Sequence, residues 1–206
     1  GGRLSLIIGI LPVILAFGIG TSLGLVAGYV CGKLNTAIMR TVDVFYAFPS
    51  VLLAIAISGA LGAGIVNSIV SLTIVFVPQI TRVAESVTTQ VRRSDYVDAA
   101  RASGAGAFTI VRAHVLGNLL GPIFVYSTSL ISVSMILASG LSFLGLGVQP
   151  PDADWGGMVK ENKDGIVFGI GAALIPAAAI AMLAISVNLV ADWVLNRTTS
   201  LKGGRG

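Results

Sequence analysis

The chain has 206 residues, 55% of them hydrophobic and only 11% charged, with a mean hydropathy of +0.93 and a formal net charge of +4. Soluble domains carry about 25% charged residues, so too few charges are present to cover a water-exposed globule, and the bilayer is the natural solvent. The excess of basic residues lies between the apolar runs, which gives it a topological origin and argues against a nucleic-acid-binding role.

Asp, Glu, Lys and Arg are absent from 4–32, 44–81, 113–151 and 165–191. A membrane span needs about 20 helical residues, and a charge at its centre costs on the order of 2.5–3.5 kcal/mol. In chain order, the first run predicts a helix near Leu6–Val30. The second is too long for one span and is interrupted at Gly59-Ala-Leu-Gly62-Ala-Gly64, so it predicts two helices, near Val44–Ala60 and Ile65–Thr81. The third predicts a helix near Leu119–Leu141 and ends in Gly145-Leu-Gly147-Val-Gln-Pro150-Pro151. The fourth predicts one near Ile166–Ala191. The expectation is a single all-α integral membrane domain over 1–206. Five spans are joined by a long loop at 82–115 and an opposite loop at 142–165, with a tail at 194–206.

Segments 33–43, 82–115 and the tail hold 10 of the 13 Lys and Arg residues. The positive-inside rule therefore places the C-terminus in the cytoplasm and Gly1 outside. Because the chain starts Gly-Gly-Arg, an upstream span that returns the true start to the cytoplasm is expected. Cys31 is placed at the cytoplasmic end of the first helix, and as a single cysteine it forms no intrachain disulfide.

Gly20, Gly24, Gly28 and Gly32 recur every four residues, a spacing that lets helices approach closely in lipid. Ala56, Ala60 and Gly64, and Ala173, Ala177 and Ala181, repeat it more weakly. Packing within the bundle is the main reading, and an interface with a partner subunit is the alternative. Pro12, Pro49, Pro78, Pro122 and Pro176 are expected to bend or break their helices. Asn67, Gln79 and Asn188 lie in or near spans and are accounted for by interhelical hydrogen bonds. Trp155 and Trp193 read as interfacial anchors, with contact to an external protein as a second role for Trp155.

The chemistry of an enzyme is not legible. One His and one Cys make neither a metal centre nor a nucleophile pair, and no Gly-x-x-x-x-Gly-Lys-[Ser/Thr] loop occurs. The predicted spans carry no Asp, Glu, Lys or Arg for a proton or ion relay. Energy for any transport would have to come from elsewhere. Asn196-Arg-Thr198 fits a glycosylation acceptor but falls on the predicted cytoplasmic side and is set aside.

Segment 82–115 carries 8 of the 22 formal charges and is longer than a turn needs. Its centre reads Ser94-Asp95-Tyr96-Val97-Asp98-Ala99-Ala100-Arg101-Ala102-Ser103-Gly104. Asp95 is expected to cap a short helix, with Asp98 in its first turn, alanines that favour helix and leave low relief, and Gly104 as the stop. Such a peg suits a groove in another protein.

Here the sequence resembles the permeases of ABC importers, whose cytoplasmic signature is Glu-Ala-Ala, three residues, Gly, nine residues, then Ile-x-Leu-Pro. The matching residues are Asp98-Ala99-Ala100, Gly104 and His114-Val115-Leu116-Gly117; Asp98, His114 and Gly117 depart from it. Gly117 is expected still to interrupt the helix, making a softer hinge. Leu141 through Pro151, Asp154-Trp155-Gly156, Gly2 through Gly9, Asp43 through Pro49 and Asn188 through Trp193 are similar to the dipeptide/oligopeptide/nickel branch, so the resemblance covers essentially the whole chain.

The resemblance implies a MetI-like bundle with five of an expected six helices, in a bacterial cytoplasmic membrane. It implies a second permease subunit, two ATPase subunits that carry ATP and Mg, and an external solute-binding protein. Coupling to the ATPase would run through Asp95, Tyr96, Asp98, Ala99, Ala100, Arg101, Ser103 and Gly104. Di- and oligopeptides are the implied cargo, nickel or another small solute is the alternative, and an ATPase-independent channel or scaffold is the reading from a different class. No substrate-binding residue is assigned.

Overall fold

The computed structural model describes the backbone of residues 1–30 and 32–203 and their side chains except at 167, 168 and 194–203. Cys31 and the side chains of the predicted tail, including the Asn196 motif, lie outside the described residues. The elements are α1 (Gly2–Val30), α2 (Gly32–Tyr46), α3 (Ser50–Leu61), α4 (Ile65–Arg92), α5 (Asp95–Ala102) and α6 (Ala107–Ile110). A π-turn (Val111–Val115), α7 (Leu116–Phe143), α8 (Trp155–Asn162) and α9 (Leu174–Gly203) follow.

α4 is central. Its Leu72, Phe76 and Ile80 are buried among Ile8 and Val13 of α1 and Leu119, Ile123 and Leu141 of α7. The glycine stripe explains how closely α1 approaches. A Cβ on Gly20 would lie 2.9 Å from Ile80 Cβ, one on Gly24 would meet Ala84 and the Thr81 carbonyl, and one on Gly28 would lie 2.7 Å from Thr88 Cβ. Three of the four predicted glycines therefore serve packing within the bundle. Gly32 does not: its φ of +70° and open surroundings place it at the α1–α2 turn.

Among the described residues four helices have the length and apolarity to cross a membrane, and five crossings result if the pair α2–α3, bent by 91°, is one broken span. This second span departs from expectation. No continuous helix covers 44–60, because Pro49 cannot continue α2 and adopts φ −57°, ψ 128°, restarting the chain as α3. Segment 33–43, expected as a loop, belongs to α2. At the far end of α3, Asn67 Nδ2 donates to the Leu61 and Gly62 carbonyls at 2.9 and 3.0 Å, closing the predicted break.

Loop 82–115 is much shorter than predicted. α4 runs on to Arg92, since Ala84 and Thr88 continue the face that packs on α1 after apolarity has ended. On the other side, residues 107–143 form one helical run through the π-turn. Gly117 lies inside it and interrupts nothing, because glycine lowers helix propensity without removing the backbone donor. Pro12, Pro78 and Pro122 likewise sit within continuous helices. The last span starts at Leu174 instead of Ile166. Gly169, at φ +75°, reverses the chain, and Ile170 N–H bonds the Gly165 carbonyl at 2.8 Å, ending a short 3-10 turn first.

The molecule has two distinct ends. At one, Trp155 N–H donates to Ser5 Oγ at 2.9 Å and its indole lies against Gly2, while Gly64 N–H and Ser68 Oγ both reach the Leu146 carbonyl. At the other, Asn35 Nδ2 donates to Ala27 O and Glu85 Oε1 at 3.0 and 2.9 Å, and α5 and α6 pack below.

Candidate functional site

α5 forms where the sequence places it, with one shift. Ser94, in extended conformation, holds the N-cap position, so Asp95 is the first helical residue instead of the cap. Asp95 and Asp98 both lie in the first turn, where negative charge suits the helix dipole. The helix ends in a Schellman arrangement: Gly104 N–H bonds Arg101 O at 2.9 Å and Ala105 N–H bonds Ala100 O at 3.0 Å. That closure requires a left-handed residue, and Gly104 has φ +84°.

Val97 fixes α5 to the bundle. It is fully buried with Ile110 and Val115, and Leu25, Tyr29, Val91, Ala100 and Ala105 complete the cluster. Tyr96 leans on His114 with ring centroids 5.8 Å apart, and Asn118 Nδ2 donates to its hydroxyl at 3.3 Å. Asp98 pairs with Arg101 at 3.0 Å. Asp95, Asp98, Ala99, Arg101, Ala102, Ser103 and Gly104 are exposed, whereas Ala100 is half-buried. The assigned residues thus form one outward surface, with Ala100 as part of its footing. Sequence reasoning missed Val97, although it is the one large aliphatic residue in the 95–104 stretch, and it missed Phe108, which stands 77% exposed beside the peg.

A second polar feature lies at the α2–α3 elbow. Arg82 of α4 pairs with Asp43 and stacks over the Tyr46 ring at 4.6 Å from its centroid. Next to it a half-open cavity of about 240 Å³ is lined by Phe45, Tyr46, Phe48, Ser50, Val75 and Gln79, among others. Val75, Pro78, Gln79 and Arg82 occupy the face of α4 opposite the one that receives the α1 glycines, as their i, i+3, i+4, i+7 spacing dictates. Among the described residues no group of three or more His, Cys, Asp and Glu could hold a metal ion.

In the 142–165 loop, Asp154 is 3% exposed and caps α8, accepting from Gly156 and Gly157 N–H at 3.3 and 3.0 Å. α8 in turn lies so close to α7 that a Cβ on Gly156 would strike the Ser139 backbone. The Asp154-Trp155-Gly156 triplet therefore makes the cap, the contact with α1 and the close approach.

Residues 20–200 match the family described as the binding-protein-dependent transport system inner membrane component. The chain is 39% identical over 192 residues to a glutathione transport system permease protein of Pectobacterium atrosepticum, covering 93% of this chain and 64% of that protein. It is 36% identical over the same length to a putative peptide transport system permease protein of Brucella suis, with the same coverage of both. It spans just under two thirds of the length of these relatives. The fold is similar to chains of the inward-facing MetNI methionine ABC transporter (TM-score 0.75, 17% identity, covering 95% of this chain and 93% of that one). It also resembles a chain of an amino acid ABC transporter crystallised with histidines (TM-score 0.72, 14% identity, 96% and 92% covered). An all-helical bundle with four to five apolar spans, matched to one family along most of its length, belongs to the multi-pass permeases of ABC importers, the binding-protein-dependent inner membrane components.

Proposed function

We propose that this chain is one of two permease subunits in an ATP-driven importer of di- and oligopeptides and performs no covalent chemistry itself. The relatives named for peptide and glutathione transport support the cargo class. The observation that carries the mechanism is the exposed, low-relief face of α5, anchored from behind by Val97 on the end of the molecule that holds seven of the described Lys and Arg side chains. Positive charge favours the cytoplasmic side. That end and the C-terminus are therefore cytoplasmic, and an external binding protein delivers solute to the end with α8.

In this mechanism α5 sits in a groove of an ATPase subunit. Coupling requires that the groove hold α5 differently in the ATP-bound and ATP-free states, because a contact equal in both shifts no equilibrium. Displacement of α5 passes through the Val97 cluster into α4 and the 107–143 helix, which tilt to open the pathway on one side or the other.

Asp98→Lys tests the docking. Its partner Arg101 is an exposed i, i+3 neighbour, and such pairs contribute at most about 1 kcal/mol, so the fold survives the substitution. Ala99→Trp adds bulk to the exposed face of α5 and leaves the left-handed Gly104 closure in place. Both are expected to abolish co-purification with the ATPase subunit or ATP-dependent peptide uptake in proteoliposomes. Wild-type assembly and uptake in both variants would refute the docking role of α5.

A further inference from the structure

Gln79 is poorly satisfied within the chain. Its carboxamide offers two donors and two acceptor positions. Its intramolecular contacts are donation from Nε2 to Val75 O and acceptance at Oε1 from the Tyr126 hydroxyl, each at 3.5 Å, the outer limit of a hydrogen bond. Gln79 sits about 20 Å along α4 from Ile65, within the inner half of a bilayer core roughly 30 Å thick. Hydrocarbon cannot satisfy such a group, so the face carrying it is turned toward something polar.

That face is the wall of the elbow cavity. Phe45, Tyr46 and Phe48 line it with aromatic surface, and Ser50 adds a hydroxyl. Beside it Arg82 pairs with Asp43 and stacks on the Tyr46 ring, and Arg40 also approaches Asp43 at 3.9 Å, so the charged groups stand next to the cavity and outside its lining. A cavity whose lining holds a planar amide, a hydroxyl, aromatic walls and no charged side chain suits a neutral planar group that both donates and accepts, and tolerates varied apolar substituents beside it. The peptide unit is that group.

We infer that the cavity at the α2–α3 elbow is a transit site for the backbone of a short peptide, with the Gln79 carboxamide hydrogen-bonded to one peptide unit and Tyr46 and Phe48 flanking its side chains. The inference rests on the peptide-import reading given above. The cavity lies at the break itself, with Phe45, Tyr46 and Phe48 before Pro49 and Ser50 after it in its lining.

The test uses the complete transporter in proteoliposomes, with its partner permease, ATPase subunits and binding protein, and with radiolabelled alanyl-phenylalanine and reduced glutathione as probes. Loss of one neutral hydrogen bond is worth about tenfold. Gln79→Leu is therefore expected to lower uptake of both probes about tenfold through KM, with binding-protein-stimulated ATP hydrolysis retained. Gln79→Asn, which keeps the carboxamide, is expected to recover part of the loss. p-Benzoylphenylalanine installed in place of Phe48 is expected to cross-link labelled peptide during turnover, with competition by unlabelled peptide; this readout stands even if the leucine variant folds poorly. Unchanged uptake by Gln79→Leu, or cross-links to lipid alone, would overturn the transit site and leave the importer assignment in place. A wild-type complex that moves neither probe on ATP addition would overturn both.

Discussion

Gly24 shows how one hydrogen atom in place of a side chain sets the spacing of two helices. A Cβ there would fall 2.5 Å from the Thr81 carbonyl oxygen, a backbone atom that cannot rotate away. Gly24→Val is therefore expected to cost at least the 1–3 kcal/mol typical of overpacking, roughly. Gly18, on the same helix, has nothing within 4 Å. Gly18→Ala is expected to be neutral or to stabilise by up to about 1 kcal/mol, as removal of a helical glycine does. Thermal unfolding of the purified protein in detergent separates the two: a lower midpoint for the valine variant, and none for the alanine one. The four-residue spacing of glycines was readable without coordinates. The partner was not, because nothing in 20–28 encodes which helix carries Ile80, Ala84 and Thr88.

At the scale of elements, α5 is eight residues long and could not hold its shape in isolation. Its order comes from the Gly104 closure and from Val97. Val97→Ala removes two methyl groups from a fully buried site, a loss of about 2 kcal/mol, and spares every exposed residue of the peg. The expected result is faster proteolysis between Arg93 and Gly106 and weaker coupling of ATP hydrolysis to uptake, with the permease still folded. Assembly and coupling at wild-type levels would show that α5 needs no anchor. The helix was legible in advance from its acidic start, alanine centre and glycine stop. Its boundaries shifted by one residue because serine and aspartate both cap well and sequence alone does not rank them here. The long flanking loops were over-predicted for a different reason. Absence of charge bounds only the apolar part of a helix, yet α4 and the 107–143 helix continue through charged residues, held there by packing that apolarity does not report. The elbow failed likewise: a charge-free run conceals a bend when a proline supplies it.

For the whole molecule, the two ends make a labelling experiment decisive. In a Cys31→Ser background, Phe108→Cys is expected to react with a membrane-impermeant maleimide only in inverted vesicles, and Lys160→Cys only in right-side-out ones. Labelling of both from the same side would refute the five-crossing arrangement; the reverse pattern would refute the orientation. The number of crossings was legible from charge-free runs. The Gln79 surface was not: the expected interhelical bond exists, from the Tyr126 hydroxyl of α7, but the cavity that Gln79 also lines is made by the elbow, which sequence did not reveal.

The unbroken run from Ala107 to Phe143 carries a mechanical corollary. At 1.5 Å per residue it is a rod about 55 Å long, rooted beside the peg and reaching the far rim. Rotating it by roughly 5° about either extremity would sweep the opposite tip through about 5 Å by simple leverage. A push of modest size applied beside α5 would thus arrive at the opposite end of the molecule without any helix unwinding on the way.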